Sequence, residues 1–212
     1  AVGESSAGLQ EGDVMDLETA LKALLVPSGN DAAVAIAEAL GGSVEAFVER
    51  MNEKAAELGC VDTVFTNPHG LDYGRFEGDL HSCAADVALM ARHAMKDDTF
   101  RAIVAQDVAN IDVTGEDGTH RVVELHSTDT LIGTYEGACG IKTGLTDRAG
   151  ASFAGACTRA GRTLYAVVIN STSEEQRFAD ATALYDWVFE HEVDYPLAHS
   201  PQTTTATLQG QT

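Results

Sequence analysis

The spacing of apolar residues changes character near Val108, and this limits the fold more than any other feature of the chain. Before that point hydrophobic residues recur at helical intervals. Leu17, Leu21, Leu24 and Leu25 stand at i, i+4, i+7 and i+8 behind Asp16, which predicts an amphipathic helix over 16–26 with Asp16 as its N-cap and Pro27 as its stop. After the short turn Ser28-Gly29-Asn30, the small residues from Asp31 to Leu40 read as a second, buried helix ended by Gly41-Gly42. Ser43 opens a third, with Val44, Phe47, Val48, Met51, Ala55 and Leu58 on one face and Gly59 as its stop. Residues 60–81, rich in Asn, Gly, Asp and Pro, read as an ordered loop, followed by helices from Ser82 to about Met95 and from Asp98 to Ala105.

From Val108 onward the chain reads as strand. Segments at 108–113, 120–125, 138–143, 151–158 and 163–169 are separated by Gly- and Asp-rich turns, and helix returns at 173–190 behind a Ser173/Gln176 capping-box pattern. The fold class expected is therefore α/β, an antiparallel sheet flanked by helices. Residues 1–191 read as one domain and 192–212, turning to Thr, Gln and Ser, as a polar tail or linker.

Charge removes one class of function. With 13 Lys+Arg against 33 Asp+Glu, the chain carries a formal net charge of −20, and such a surface repels a phosphate backbone. Nucleic acid is not an expected partner. The longest apolar run, Leu164 to Ile169, is far short of the roughly 20 residues that span a bilayer, so a soluble chain or a soluble piece of something larger is expected. Cys60, Cys83, Cys139 and Cys157 contain no C-x-x-C pair, which leaves four small thiols or two disulfides as readings and makes no metal site. If 138–143 and 151–158 pair about the 144–150 turn in the register that opposes 143 to 153, Cys139 faces Cys157, and Cys60 with Cys83 follows by elimination. No cofactor is implied.

Two short motifs carry chemistry: Ser28-Gly29-Asn30 at a helix-to-helix turn and Lys142-Thr143-Gly144 at a strand end. Alone, Ser28 and Asn30 could be ordinary helix caps and Lys142 an exposed strand lysine. A P-loop is excluded because Ile141 separates Gly140 from Lys142. The flanks are more specific. Leu24-Leu25-Val26-Pro27-Ser28-Gly29-Asn30-Asp31-Ala32-Ala33, then Asn67-Pro68-His69-Gly70-Leu71-Asp72, then Gly140-Ile141-Lys142-Thr143-Gly144-Leu145-Thr146-Asp147 together resemble the low-molecular-weight penicillin-binding proteins that act as serine-type D-alanyl-D-alanine carboxypeptidases. The resemblance covers about residues 4 to 190.

That resemblance implies a penicillin-binding, β-lactamase-like transpeptidase fold and an extracytoplasmic bacterial enzyme. The enzyme would remove the terminal D-Ala from peptidoglycan stem pentapeptides through an acyl-enzyme, with β-lactams as inhibitors. It implies a proton-shuttling role for Ser28, a hold on the substrate amide for Asn30, carboxylate recognition by Lys142 and Thr143 beside Gly144, and an oxyanion donor in the backbone N–H of Leu145. His69, in its turn-rich segment, is expected to have a structural hydrogen-bonding role. Two departures stand out. No Ser in the 212 residues has Lys three positions later, so the family's S-x-x-K nucleophile motif is expected in an upstream N-terminal segment that would act as this chain's partner. Where the family has an Asn-rich segment before the KTG strand, this chain has His126-Ser127-Thr128-Asp129. The competing expectations are an inactive peptidoglycan- or β-lactam-binding module and a serine β-lactamase, whose second motif usually has Asp where Gly29 stands.

Overall fold

The computed structural model describes residues 5–191, so the expected tail at 192–212 lies outside the described residues. Helices α1 (Leu17–Leu25), α2 (Asn30–Gly41) and α3 (Val44–Glu57) follow one another, and α4 (Ala84–Ala94) and α5 (Asp98–Val104) come after the long loop. Strands β1 (Val108–Thr114) and β2 (His120–His126) form a hairpin; β3 (Ala138–Thr146), β4 (Gly150–Arg159) and β5 (Arg162–Ser171) form a separate antiparallel sheet in that order. Helix α6 (Glu174–Glu190) closes the described chain.

The helix starts follow their caps. Side-chain oxygens of Asp16, Ser43 and Ser173 accept the backbone N–H groups of Thr19, Ala46 and Gln176, each satisfying one of the donors a helix start leaves open. Helix α4, expected from Ser82, begins at Ala84, with Cys83 as its N-cap. Helix α2 is capped instead by Gly29, with no side-chain cap bond, so Ser28 and Asn30 are not there as caps.

Three apolar clusters hold the layers together. Ala23 of α1 and its C-cap Val26, Ala32 of α2 and Ile103 of α5 pack against Ala109, Ile111, Val113 and Leu125 of the hairpin. One face of the three-stranded sheet, at Ile141 and Ala156, meets Ala91 of α4, its C-cap Met95 and Val104 of α5. The other face, at Phe153, Cys157 and Ala166, meets Phe178, Ala181 and Tyr185 of α6. A central strand covered on both faces cannot keep a simple in-out alternation, and β4 is buried continuously from Gly155 to Cys157.

The register expected between β3 and β4 holds at Thr143, which faces Phe153, but a bulge between Ala138 and Ile141 puts Ala138 opposite Cys157. The expected Cys139–Cys157 disulfide is therefore corrected. Cys157 points into the α6 side of the sheet, whereas Cys139 packs on the α4–α5 side. The Cys60–Cys83 pairing is corrected with it, because all four cysteines are free thiols.

Candidate active site

A cleft of about 560 Å³ lies between the α1–α2 turn, the 67–72 loop and the free edge of β3. Ser28, Asn30, Lys142, Thr143, Gly144 and Leu145, widely separated in the chain, all line it. Each wall is set by local chemistry.

The α1–α2 turn is tight. Gly29 donates its N–H to the carbonyl of Ala23 (3.2 Å), and a Cβ added there would lie 2.5 Å from that carbonyl oxygen. Only glycine fits such an approach. Ser28, just before it, has φ of 65°, in the left-handed region that costs a side-chain-bearing residue energy. Asn30 is buried at the first position of α2, and its N–H donates to the carbonyl of Ser5 (3.0 Å). Asp31 ties down the preceding segment. Its carboxylate accepts Ser6 Oγ (2.5 Å) and the N–H groups of Ala7 (3.0 Å) and Leu9 (3.1 Å). Burial alone would raise its proton affinity, but these bonds outweigh it and hold the carboxyl below its ordinary range.

The lower wall is built by Asn67. Its Oδ1 accepts the N–H groups of His69 (3.2 Å) and Gly70 (2.6 Å), while its Nδ2 donates to the Leu71 carbonyl (2.9 Å). His69 Nδ1 accepts the N–H of Leu71 (3.2 Å), and its ring meets Phe76 edge-on at 4.5 Å. Burial, helped by the Arg75 charge, pushes the imidazole below its usual range, which keeps it neutral. Thr146 Oγ1 then donates to Asp72 (2.9 Å), fastening the loop to the end of β3.

The β3 edge carries the charge. Lys142 Nζ donates to the Thr143 carbonyl (3.0 Å), and the Thr143 hydroxyl meets that of Thr128 at 2.6 Å. Desolvation, with repulsion from Arg177, pushes the Lys142 ammonium down to about 8; Asp129 works the other way. Arg177 was not among the residues expected from the sequence. It is only 3% exposed, donates Nη1 to the Gly144 carbonyl (3.3 Å) and Nη2 to Glu174 (3.1 Å), and lines the same cleft. The available signal was its place on the inward stripe of α6, one and two turns before Ala181 and Tyr185. An arginine on an otherwise buried stripe has to serve an anion or a backbone acceptor.

A family model described as D-alanyl-D-alanine carboxypeptidase (peptidase S11) matches residues 1–173. The chain belongs to the D-alanyl-D-alanine carboxypeptidase family. Among its relatives, D-alanyl-D-alanine carboxypeptidase DacF of Bacillus subtilis is 34% identical over 207 residues, covering 96% of this chain and 50% of the relative. DacB2 of Mycobacterium tuberculosis is 34% identical over 204 residues, covering 95% of this chain and 65% of the relative. The crystal structure of the Streptomyces K15 DD-transpeptidase superposes with a TM-score of 0.83 at 32% identity, over 88% of this chain and 72% of that one. The fold of the family is thus the fold expected from the motifs. The chain spans only half to two thirds of the length of these curated relatives.

Proposed function

We propose that the chain forms the substrate-anchoring walls of a serine-type D-Ala-D-Ala carboxypeptidase working outside the bacterial cytoplasm on peptidoglycan stem pentapeptides. The observation that carries this reading is the convergence of Lys142, Thr143 and Arg177 with Ser28 and Asn30 in one cleft of a strongly acidic protein. Two cations and a hydroxyl at a strand edge suit a ligand that ends in a carboxylate. In this reading Arg177, Thr143 and Lys142 take the terminal carboxylate, and Asn30 holds the substrate amide. The Leu145 N–H, on the edge strand beside Gly144, serves the developing oxyanion. Ser28 relays the proton to the departing D-Ala amine.

The acylated serine and its lysine partner are assigned to an N-terminal segment beyond these 212 residues, since none of them forms an S-x-x-K motif. The longer relatives are compatible with such a segment. The β-lactamase alternative is disfavoured at Gly29, because the tight turn has no room there for the aspartate side chain of those enzymes.

Intact-mass measurement after incubation with a penicillin tests the assignment. The 212-residue chain alone is expected to form no adduct, and the same chain joined to its upstream segment is expected to form one. In the extended protein Lys142→Met and Thr143→Val should each slow acylation by about 10²- to 10³-fold, the usual loss for an oxyanion-type contact. An adduct mapped to Ser28 would overturn these roles, and no adduct on the folded, extended protein would favour the inactive binding module.

A further inference from the structure

Where β3 turns into β4, a second and smaller depression opens beside the cleft. It holds about 230 Å³ and is lined by Tyr73, Leu145, Thr146 and Asp147. Leu145 and Thr146 also line the main cleft, so the two spaces are continuous along the β3 edge. Tyr73 arrives from the loop that builds the lower wall. Thr146 Oγ1 donates to Asp72 (2.9 Å), which seats the next residue, Tyr73, at the strand end. The same Oγ1 accepts the N–H of Ala149 (2.9 Å), which fixes the turn that carries Asp147.

The lining combines two kinds of unsatisfied surface. Tyr73 and Leu145 are large side chains left 43% and 53% exposed. The Asp147 carboxylate has no hydrogen bond or ion pair with another described residue, and Arg148, next in the turn, does not line the depression. An aliphatic chain that ends in a cation answers both, its stem lying along the ring and the leucine and its head at the carboxylate.

The strand edge determines which part of a ligand arrives there. A peptide added to β3 with its terminal carboxylate at Lys142 and Thr143 and its scissile carbonyl at the Leu145 N–H runs antiparallel to the strand. At about 3.4 Å per residue, the residue before the D-Ala pair then comes level with Thr146, at the mouth of the depression. This placement rests on the reading of the cleft proposed above. We propose that Tyr73, Leu145 and Asp147 form a specificity subsite that prefers an amine-ended aliphatic side chain on the residue preceding D-Ala-D-Ala.

The probes are two tripeptides, Nα-acetyl-Lys-D-Ala-D-Ala and the same peptide acetylated on its side-chain amine, offered to the full-length protein. Binding is followed by the backbone amide shifts of Leu145 to Asp147, and D-Ala release is measured separately. The wild type is expected to bind the free-amine peptide about fivefold more tightly, the upper range for an exposed ion pair, with a preference that shrinks as salt rises. Asp147→Asn should bring the ratio to about one and Asp147→Lys should invert it, while Tyr73→Ala should weaken both peptides, which share the aliphatic stem. Each ratio is read within one variant, so a partly unfolded fraction cancels. Equal binding of the two peptides by the wild type, or a preference that survives Asp147→Asn, overturns the proposal. Loss of D-Ala release with the preference intact counts against the proposed function and leaves the subsite standing; release without preference does the reverse. If neither peptide binds, both readings fall.

Discussion

At Ser28 a strained backbone coincides with the proposed proton relay. A left-handed conformation costs a residue with a Cβ about 1–2 kcal/mol relative to glycine, and Ser28 adopts it at φ 65° with its side chain at the cleft. Folding alone would favour glycine here. Replacing Ser28 by Gly should therefore raise the unfolding free energy by about 1 kcal/mol, part of the relief being returned as unfolded-chain entropy. The same change should reduce acylation in the extended protein, because the hydroxyl is gone. Denaturant unfolding and β-lactam acylation rates measure the two effects separately. A destabilised Ser28→Gly would mean that the hydroxyl holds the turn together and that strain is not what keeps serine there. The residues of the two short motifs could be found from the sequence because their flanks are specific over many positions. Arg177 is signalled only by its place on the inward stripe of α6, and the strand carbonyl it reaches, that of Gly144, shows itself only when the fold seats α6 against the sheet.

At the scale of elements, helix ends were legible and strand irregularities were not. A cap is a local contract between a side chain and an N–H three residues on, so Asp16, Ser43 and Ser173 announce themselves in the sequence. The β3 bulge has a tertiary cause. Gly140 lies so close to α5 that a Cβ there would stand 2.8 Å from Val104 Cγ2 and 3.0 Å from the Val104 carbonyl oxygen, a contact no strand pattern encodes. The two faces of the sheet make opposite demands on glycine. A Cβ at Gly155 would collide with the Phe153 ring and the Tyr185 hydroxyl, whereas at Gly144 nothing lies within 4 Å. Gly155→Ala should accordingly cost about 1–3 kcal/mol through overpacking beneath α6, and Gly144→Ala should change stability by less than about 0.5 kcal/mol. Chemical denaturation of the two variants checks this; equal costs would show that the cleft face of β3 is as tightly covered as the α6 face.

At the scale of the whole molecule the dominant fact is charge. The excess of acid was plain in the composition, but not where the cations gather, because Lys142 and Arg177 meet only once β3 and α6 pack. Most acidic side chains on this surface have no basic partner available: 33 Asp and Glu face 13 Lys and Arg. Several of the ion pairs that do form are surface pairs of little worth, such as Lys22 with Glu18 at 2.8 Å, one helical turn apart. The more enclosed pair of Arg121 with Asp13, which ties the hairpin to the N-terminal segment, is an exception. Net self-repulsion therefore opposes the compact state. Its range is set by salt, the Debye length falling from about 30 Å at 0.01 M to about 8 Å at 0.15 M. Across that interval the repulsion among distant carboxylates is largely screened, while short pairs such as Arg121–Asp13 lose much less. The thermal midpoint of the protein at pH 7 should consequently rise between 10 and 150 mM sodium chloride, by at least a few degrees if the gain is about 1 kcal/mol. Circular dichroism melts at fixed protein concentration measure it. A midpoint that falls over the same range would show that attractive pairs outweigh the net charge of −20 and that the acidic surface is organised more favourably than its composition implies.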